Sequence, residues 1–314
     1  MPGSVMDNPG FPTLIDVAYS QIVEHELADM TDILPEIFTM ITGDRLDFRS
    51  GELGEMAPWS EFTTGQVSYQ EIYEQYNTQQ RGREYTAGSI VTRRLVDDDQ
   101  FGVMTGKRFR PMVQAGLLTR QLHGTRLYET MGIVDTHYYT YSEGLPLVSA
   151  AHLTRTPGVS TTTGFSNRTT AAFSPTALQA ALIAGRKIRN DQGYRTGTSY
   201  DGIVFPPDLR PRVHQVLRTP YGLDNPYRNV NMESAKETGI MKMIELPHWS
   251  SATNWALVNT RKMKAACLWI TRAAPEFGRI NEFDTLQIKN RGYMRHGYAV
   301  TMNGLYWMYG GIVS

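Results

Sequence analysis

The sequence predicts an α+β protein, and three observations carry that prediction. Alternating apolar and polar residues, rich in Val, Ile, Thr and Tyr, run through 59–96 and return through 283–313, the period of half-buried strands. Between them lies a well-signalled helix, with Ser174 at the N-cap, Pro175 at the first helical position, Leu178, Ala181, Leu182 and Ile188 on one face and Gly193 beyond its end. A short apolar run closed by prolines, 201–207, reads as a buried strand. With 314 residues, 41% of them hydrophobic, the chain can bury a real core as two packed units or one elaborated domain.

Taken in order, residues 1–12 are a Pro/Gly-rich lead-in without periodicity. Thr13 with Asp16 forms a capping box, and Leu14, Val17 and Ile22 give the apolar stripe of a short helix. A second short helix is expected through Ile33, Ile37 and Ile41, starting near Pro35 and stopping at Gly43. The stretches FTTGQVSYQEIYEQY and EYTAGSIVTRRLV, separated by a turn region at 78–82, read as one long two-stranded hairpin. An isolated ribbon is marginal in water, so it must lie on its own body or on a partner. Asp97, Asp98 and Asp99 then place carboxylates where a helix N-terminus favours them. Phe109, Met112, Val113, Leu117 and Leu118 supply a helical face down to His123, and Gly106, Pro111 and Gly116 predict that this helix is kinked or in two parts. After the loop-rich stretch 133–173, a helix over 209–217 and strands at 240–246, 255–259 and 265–270 lead into antiparallel strands that reach the end of the chain.

The formal charge is zero, yet it is unevenly spread. Residues 1–61 hold twelve acids against Arg45 and Arg49, a net −10, which leaves +10 for the remainder. Only seven cations are lysine, and arginine is the cation enriched at lasting interfaces. Two readings follow: a solvated acidic arm, or an arm lying on the basic surface of a neighbouring copy.

Motifs of catalysis begin and then fail. Gly106-Lys107 is followed by Arg108 where a phosphate loop needs Ser or Thr, and His25-Glu26 has Asp29 where a zinc helix needs its second histidine. Gly158-Val159-Ser160 lacks the closing glycine of a nucleophile elbow. Cys267 lies in an apolar run, as a small buried hydrophobe does. The expectation is no enzyme, no catalytic residue, no metal and no cofactor. No apolar run approaches the roughly 18–20 residues of a membrane span, so no membrane partner is expected.

The succession of features is the most informative signal: an acidic arm, a long exposed hairpin, the helix introduced by Asp97-Asp98-Asp99-Gln100-Phe101, and a Ser/Thr-rich loop after Ala151-His152. The helix closed by Gln192-Gly193, the strand 201–207, Asp224-Asn225-Pro226, Trp255-Ala256-Leu257-Val258 and an aromatic end at Tyr293, Tyr298, Trp307 and Tyr309 follow. In order and spacing this resembles the major capsid proteins of tailed bacteriophages, particularly the phage Mu-type major head subunit family, over about residues 60–314.

The resemblance implies the Hong Kong 97-type fold. Residues 1–60 become an N-terminal arm, 61–98 the extended loop, 99–198 with 261–314 the peripheral subdomain and its spine helix, and 199–260 the axial subdomain. It implies a subunit that assembles with many copies of itself, as pentamers and hexamers, into an icosahedral head around double-stranded DNA, formed in the host cytoplasm and residing in the virion. The expected inter-subunit contacts are Trp59, Phe62, Tyr69, Tyr73, Arg81, Arg83, Tyr85, Arg93 and Arg94, and the acidic arm is carried by Asp16, Glu24, Glu26, Asp29, Asp32 and Glu36. A separate scaffolding protein, a portal and a decoration protein are the partners this implies, with non-specific phosphate contacts to packaged DNA. No lysine precedes Lys107, so covalent joining from a lysine of the extended loop is not expected. The competing readings are an encapsulin-like nanocompartment shell and an α+β enzyme with a dispersed site at Asp201, His214 and His248.

Overall fold

The computed structural model describes residues 32–43, 47–63, 65, 67–92, 94, 103–219, 231–282 and 287–313. The expected helix at 13–22, the acidic run 97–99 and the motif 224–226 lie outside them. In chain order the elements are α1 (Leu34–Ile37), β1 (Thr39–Thr42), β2 (Arg49–Leu53), β3 (Glu74–Gln80), β4 (Arg83–Thr92), α2 (Val103–Glu129), β5 (Tyr139–Tyr141), β6 (Arg168–Thr169) and α3 (Pro175–Arg186). There follow β7 (Gly202–Phe205), α4 (Arg210–Arg218), α5 (Ala235–Thr238), β8 (Lys242–Glu245), β9 (Trp255–Val258), α6 (Thr260–Ala266), β10 (Cys267–Glu282), β11 (Gln287–Val300) and β12 (Met308–Gly311). The chain folds as two compact units; one gathers Glu84–Leu122 and Ala273–Arg295, the other Ile33–Arg83, His123–Arg272 and His296–Ser314.

In the first unit β4 lies beside β11, which pairs with β10. The Arg295 guanidinium reaches Glu84 at 3.0 Å, and Asn290 Nδ2 donates to Ser89 Oγ at 3.3 Å. Met112, Val113 and Leu117 of α2 are buried, as are Val91 and Met294.

The second unit is built on a sheet of order β6-β12-β9-β7-β8. The β12/β9 and β9/β7 pairs are antiparallel, and the two outer pairs are parallel. Every residue of β7, β9 and β12 is buried, as continuous apolar strands covered on both faces should be. Leu178 and Ala181 of α3 and Val213, Val216 and Leu217 of α4 pack with Phe205, Trp255 and Tyr309 in one core. Ser174 caps α3 as its sequence predicts, accepting from the Ala177 amide at 3.1 Å. A second apolar cluster stacks Phe38, Tyr138, Trp269, His296 and Tyr298, with Trp269 and His296 ring centroids 4.8 Å apart. Fully burying such side chains stabilises the fold by about 1.5–3 kcal/mol each.

Four expectations are corrected. The helix expected through Ile41 is a single turn, α1; the β-branched stretch Thr39–Thr42 instead pairs in parallel with β10. Helix α2 is one element from Val103 to Glu129 with Pro111 inside it, not two parts. Helix α3 stops at Arg186, before 187–193 turns back through Gly193 at φ 82°. The fourth concerns the hairpin: of its first stretch only 74–76 is strand, in a β3 that runs on through most of the expected turn, and the second stretch forms β4, which does not pair with β3. β3 is the middle strand of the sheet β2-β3-β5, and β4 belongs to the sheet of β11 and β10. Alternation reports that a segment is extended and half-buried; it does not report which strand lies beside it.

Two close approaches fix the C-terminal end. Gly304 sits where a Cβ would overlap the Leu147 carbonyl, and Gly311 lies against the Trp255 indole. Gly304→Ala is expected to destabilise the subunit by about 3 kcal/mol or more, read as a lowered urea midpoint at unchanged slope.

His123 Nδ1 and His296 Nε2 lie 2.9 Å apart. Burial first, then His137 and Arg126, lowers the His123 pKa from 6.5 to about 4. The neutral form is therefore favoured in the folded state, so this contribution is full above pH 6.5 and lost as pH falls toward 4. His123→Gln is expected to flatten the fall in urea stability between pH 7 and pH 4.5; an unchanged fall would contradict the assignment.

Candidate functional site

Strands β2 and β3 pair antiparallel as a hairpin whose connecting loop is 54–73. The ladder runs Arg49↔Gln79, Ser50↔Thr78 and Gly51↔Asn77, then shifts register before Leu53↔Glu74. Beyond it the Gly54 amide donates to the Tyr73 carbonyl at 2.9 Å, closing the neck. Past that neck the chain carries Met56, Phe62, Val67 and Ile72 as exposed apolar side chains, and Trp59 and Tyr69 are 92% and 93% exposed. No cation occurs between Arg49 and Arg81. Soluble surfaces place large apolar side chains singly; a run of six on one loop marks an interaction surface.

The root is fixed by polar contacts to the rest of the second unit. Gln75 donates from Nε2 to Thr156 Oγ1 at 3.0 Å and accepts on Oε1 from the Arg155 amide at 3.0 Å. Arg155 Nη1 donates to the Gln75 carbonyl at 3.1 Å, and its guanidinium lies 5.0 Å from the centroid of the Tyr76 ring. On the other arm Asp191 accepts from the Glu55 amide at 2.8 Å, Asn190 Nδ2 donates to Glu55 Oε2 at 2.7 Å, and Gln192 Nε2 donates to the Glu55 carbonyl at 2.9 Å. Behind them Glu143 and His152 form a buried pair, with His152 Nδ1 3.0 Å from the carboxylate and Nε2 3.2 Å from Asn167 Oδ1. The amide of Asn167 donates to the Leu147 and Met308 carbonyls, so Oδ1 is the atom that faces His152.

The residues expected at the interface are divided by the structure. Trp59, Phe62 and Tyr69 share the exposed loop, and Tyr73, half-buried, donates its hydroxyl to Glu71 at 2.8 Å. Arg81 and Arg83 are exposed where β3 passes to β4, and Arg83 Nε donates to the His137 carbonyl at 3.0 Å. Tyr85 belongs to β4, where it lines an apolar cavity of about 160 Å³ with Met112, Phe277 and Tyr293. Arg94 is exposed, and Arg93 lies outside the described residues. Of the acidic arm, Asp32 is exposed and lies 3.6 Å from Arg120, Glu36 is exposed on α1, and Asp16, Glu24, Glu26 and Asp29 lie outside the described residues. Leu53, Met56, Val67 and Ile72 were missed; the signal available for them was a long cation-free stretch in which apolar residues depart from strict alternation. The enzyme reading loses its aspartate to structure: Asp201 accepts from the Thr260 amide at 2.6 Å and from its hydroxyl at 2.5 Å, holding the start of α6. Cys267 is fully buried, which pushes its thiol pKa up.

A long helix, a strand unit, a wide core sheet and a polar-rooted apolar loop make up a fold of the Hong Kong 97 type. The chain belongs to the phage capsid protein family, whose model matches residues 78–309. Among solved structures it is similar to the capsid of Ralstonia phage GP4, at 12% identity and a TM-score of 0.55 over 88% of this chain and 87% of that one. It is similar also to Microbacterium phage Oxtober96, at 13% identity and a TM-score of 0.53 over 90% of each chain. The procapsid of bacteriophage JBD30 aligns at 12% identity and a TM-score of 0.51, over 98% of this chain and 76% of that one. At these identities the likeness is one of fold. No curated protein matches the chain.

Trp59→Ala is expected to change subunit stability by less than about 0.5 kcal/mol, because the ring is exposed, while lowering the yield of assembled shells. Urea unfolding and sedimentation of one preparation check both halves.

Proposed function

We propose that this subunit builds an icosahedral phage head from pentamers and hexamers around double-stranded DNA, and that the loop 54–73 is the clasp each copy lays on a neighbour. The observation that carries the reading is the run of exposed apolar side chains beyond a hydrogen-bonded neck. Isolated in water such a loop is costly, and burial against another copy recovers about 25 cal/mol per Å² of apolar area. In this reading residues 84–122 and 273–295 form the peripheral subdomain with the first part of its spine helix, and the five-stranded sheet with α3 and α4 belongs to the axial subdomain. Family and fold point to a structural, non-enzymatic role within the virion. A separate scaffolding protein, a portal and a decoration protein complete the assembly, which takes place in the host cytoplasm, and arginine-rich surfaces supply salt-sensitive contacts to DNA phosphates.

Electron microscopy of the purified full-length chain, with sedimentation at two salt concentrations, tests the reading. Closed particles, or free pentamers and hexamers, are expected; a salt-independent monomer or dimer from cells that also contain the scaffold would overturn it. The loop holds no lysine, so assembled particles boiled in detergent should run as single 35.4 kDa chains. A ladder of covalent oligomers would contradict non-covalent assembly.

A further inference from the structure

The neck of the loop is surrounded by carboxylates whose arrangement makes it sensitive to protons. Glu52 sits where the β2/β3 register shifts, and an irregularity of that kind re-aims a side chain out of the regular pleat. One of its oxygens accepts from the Tyr141 hydroxyl at 2.8 Å; the other is buried and meets no donor among the described residues. Glu52, Glu55 and Asp191 line one cavity of about 400 Å³ with Gln75, Lys262 and Tyr306. Glu143, beyond β5, adds a fourth carboxylate close enough to act on Glu52. The cations nearby are engaged: Arg155 with the Gln75 carbonyl, and Lys262 Nζ 3.5 Å from Thr198 Oγ1; the His152 ring lies against Glu143.

We propose that this neck is a proton-operated hinge: with Glu52 neutral, 52–55 is held against the turn 190–192, and ionisation of Glu52 weakens that hold and frees the loop. Burial raises the Glu52 pKa from 4.5 to about 7, with Glu143 and Asp191 adding to the rise and the Tyr141 hydrogen bond opposing it. Asp191 is raised as well, by burial, with the hydrogen bond from the Glu55 amide opposing the rise and the Glu55 carboxylate adding to it. A raised carboxyl favours its neutral form in the closed neck, so the closed state is most stable below pH 4.5 and loses stability as pH rises to about 7. The inference rests on the clasp reading only for its consequence, a shell whose subunit contacts respond to pH. The hinge itself is read on dissociated full-length subunits, so either can fail alone.

Two amides report on it directly: Gly54, bonded to the Tyr73 carbonyl, and Glu55, bonded to Asp191. Their hydrogen-exchange protection, corrected for intrinsic exchange, is expected to drop at least tenfold between pH 5 and pH 8, and to stay level in Glu52→Gln. Equal protection at both pH values in the unmodified chain, or an equal drop in Glu52→Gln, would overturn the hinge. Should Glu52→Gln not fold, the midpoint of the loss serves instead. Asp191→Asn removes a neighbouring negative charge and should move the midpoint to lower pH, whereas Tyr141→Phe removes the donor to the ionised form and should move it higher. A midpoint unmoved by both would refute the role of Glu52.

Discussion

The structure depends on one constraint: β3 must be hydrogen-bonded along both edges. It is the middle strand of its sheet, with β2 on one side and β5 on the other, and its buried side chains are largely polar. Gln75 and Thr78 are tied into the surrounding unit, Thr78 through its hydroxyl to the Val300 carbonyl at 2.5 Å. Burying such groups favours the one register in which Gln75 and Thr78 find their partners, although the side-chain amide of Gln80 is buried without a partner among the described residues. A single register in turn gives the loop beyond it a fixed point of departure. Without that anchor, six exposed apolar side chains would collapse onto the nearest apolar surface instead of standing ready for another copy.

The two kinds of surface on this loop divide the work. In the proposed clasp the tip offers exposed apolar side chains, whose burial is non-directional. The neck is polar and acidic, and its contacts are directional hydrogen bonds to 190–192 and to Tyr141. Attraction therefore resides at one end of the loop and positional control at the other. A shell repeats each contact many times, so a modest gain per copy suffices for assembly while leaving single contacts reversible.

Much of the fold was legible in the sequence. The Ser174-Pro175 start of α3, the buried strand at 202–205, the helix at 210–218 and the strands around 242, 255 and 287 follow from caps, prolines and periodicity, which are local signals. The order of those elements was enough to indicate the family. What local signals could not supply was pairing. Arg81-Gly82 between two alternating stretches has the form of a tight hairpin, yet the chain there leaves one sheet and enters another. The β2/β3 hairpin was not legible for the same reason: β2, at Arg49–Leu53, contains glycine and two charged residues and shows little strand character by itself. The exposed aromatics of the loop, Trp59, Phe62 and Tyr69, were visible as apolar residues without a place in a core. The acidic neck was not, because Glu52, Glu143 and Asp191 are far apart in sequence and are brought together only by tertiary contacts.

In the proposed assembly the tip of the loop is covered by a neighbouring copy in the shell. Hydroxyl-radical footprinting of Trp59 and Tyr69, in intact particles and in subunits dissociated from them, tests it most directly. Both rings should oxidise readily in free subunits, where Trp59 is 92% exposed, and should be strongly protected in particles. Equal oxidation in the two states would show that the loop stays in solvent and that the shell is held together elsewhere.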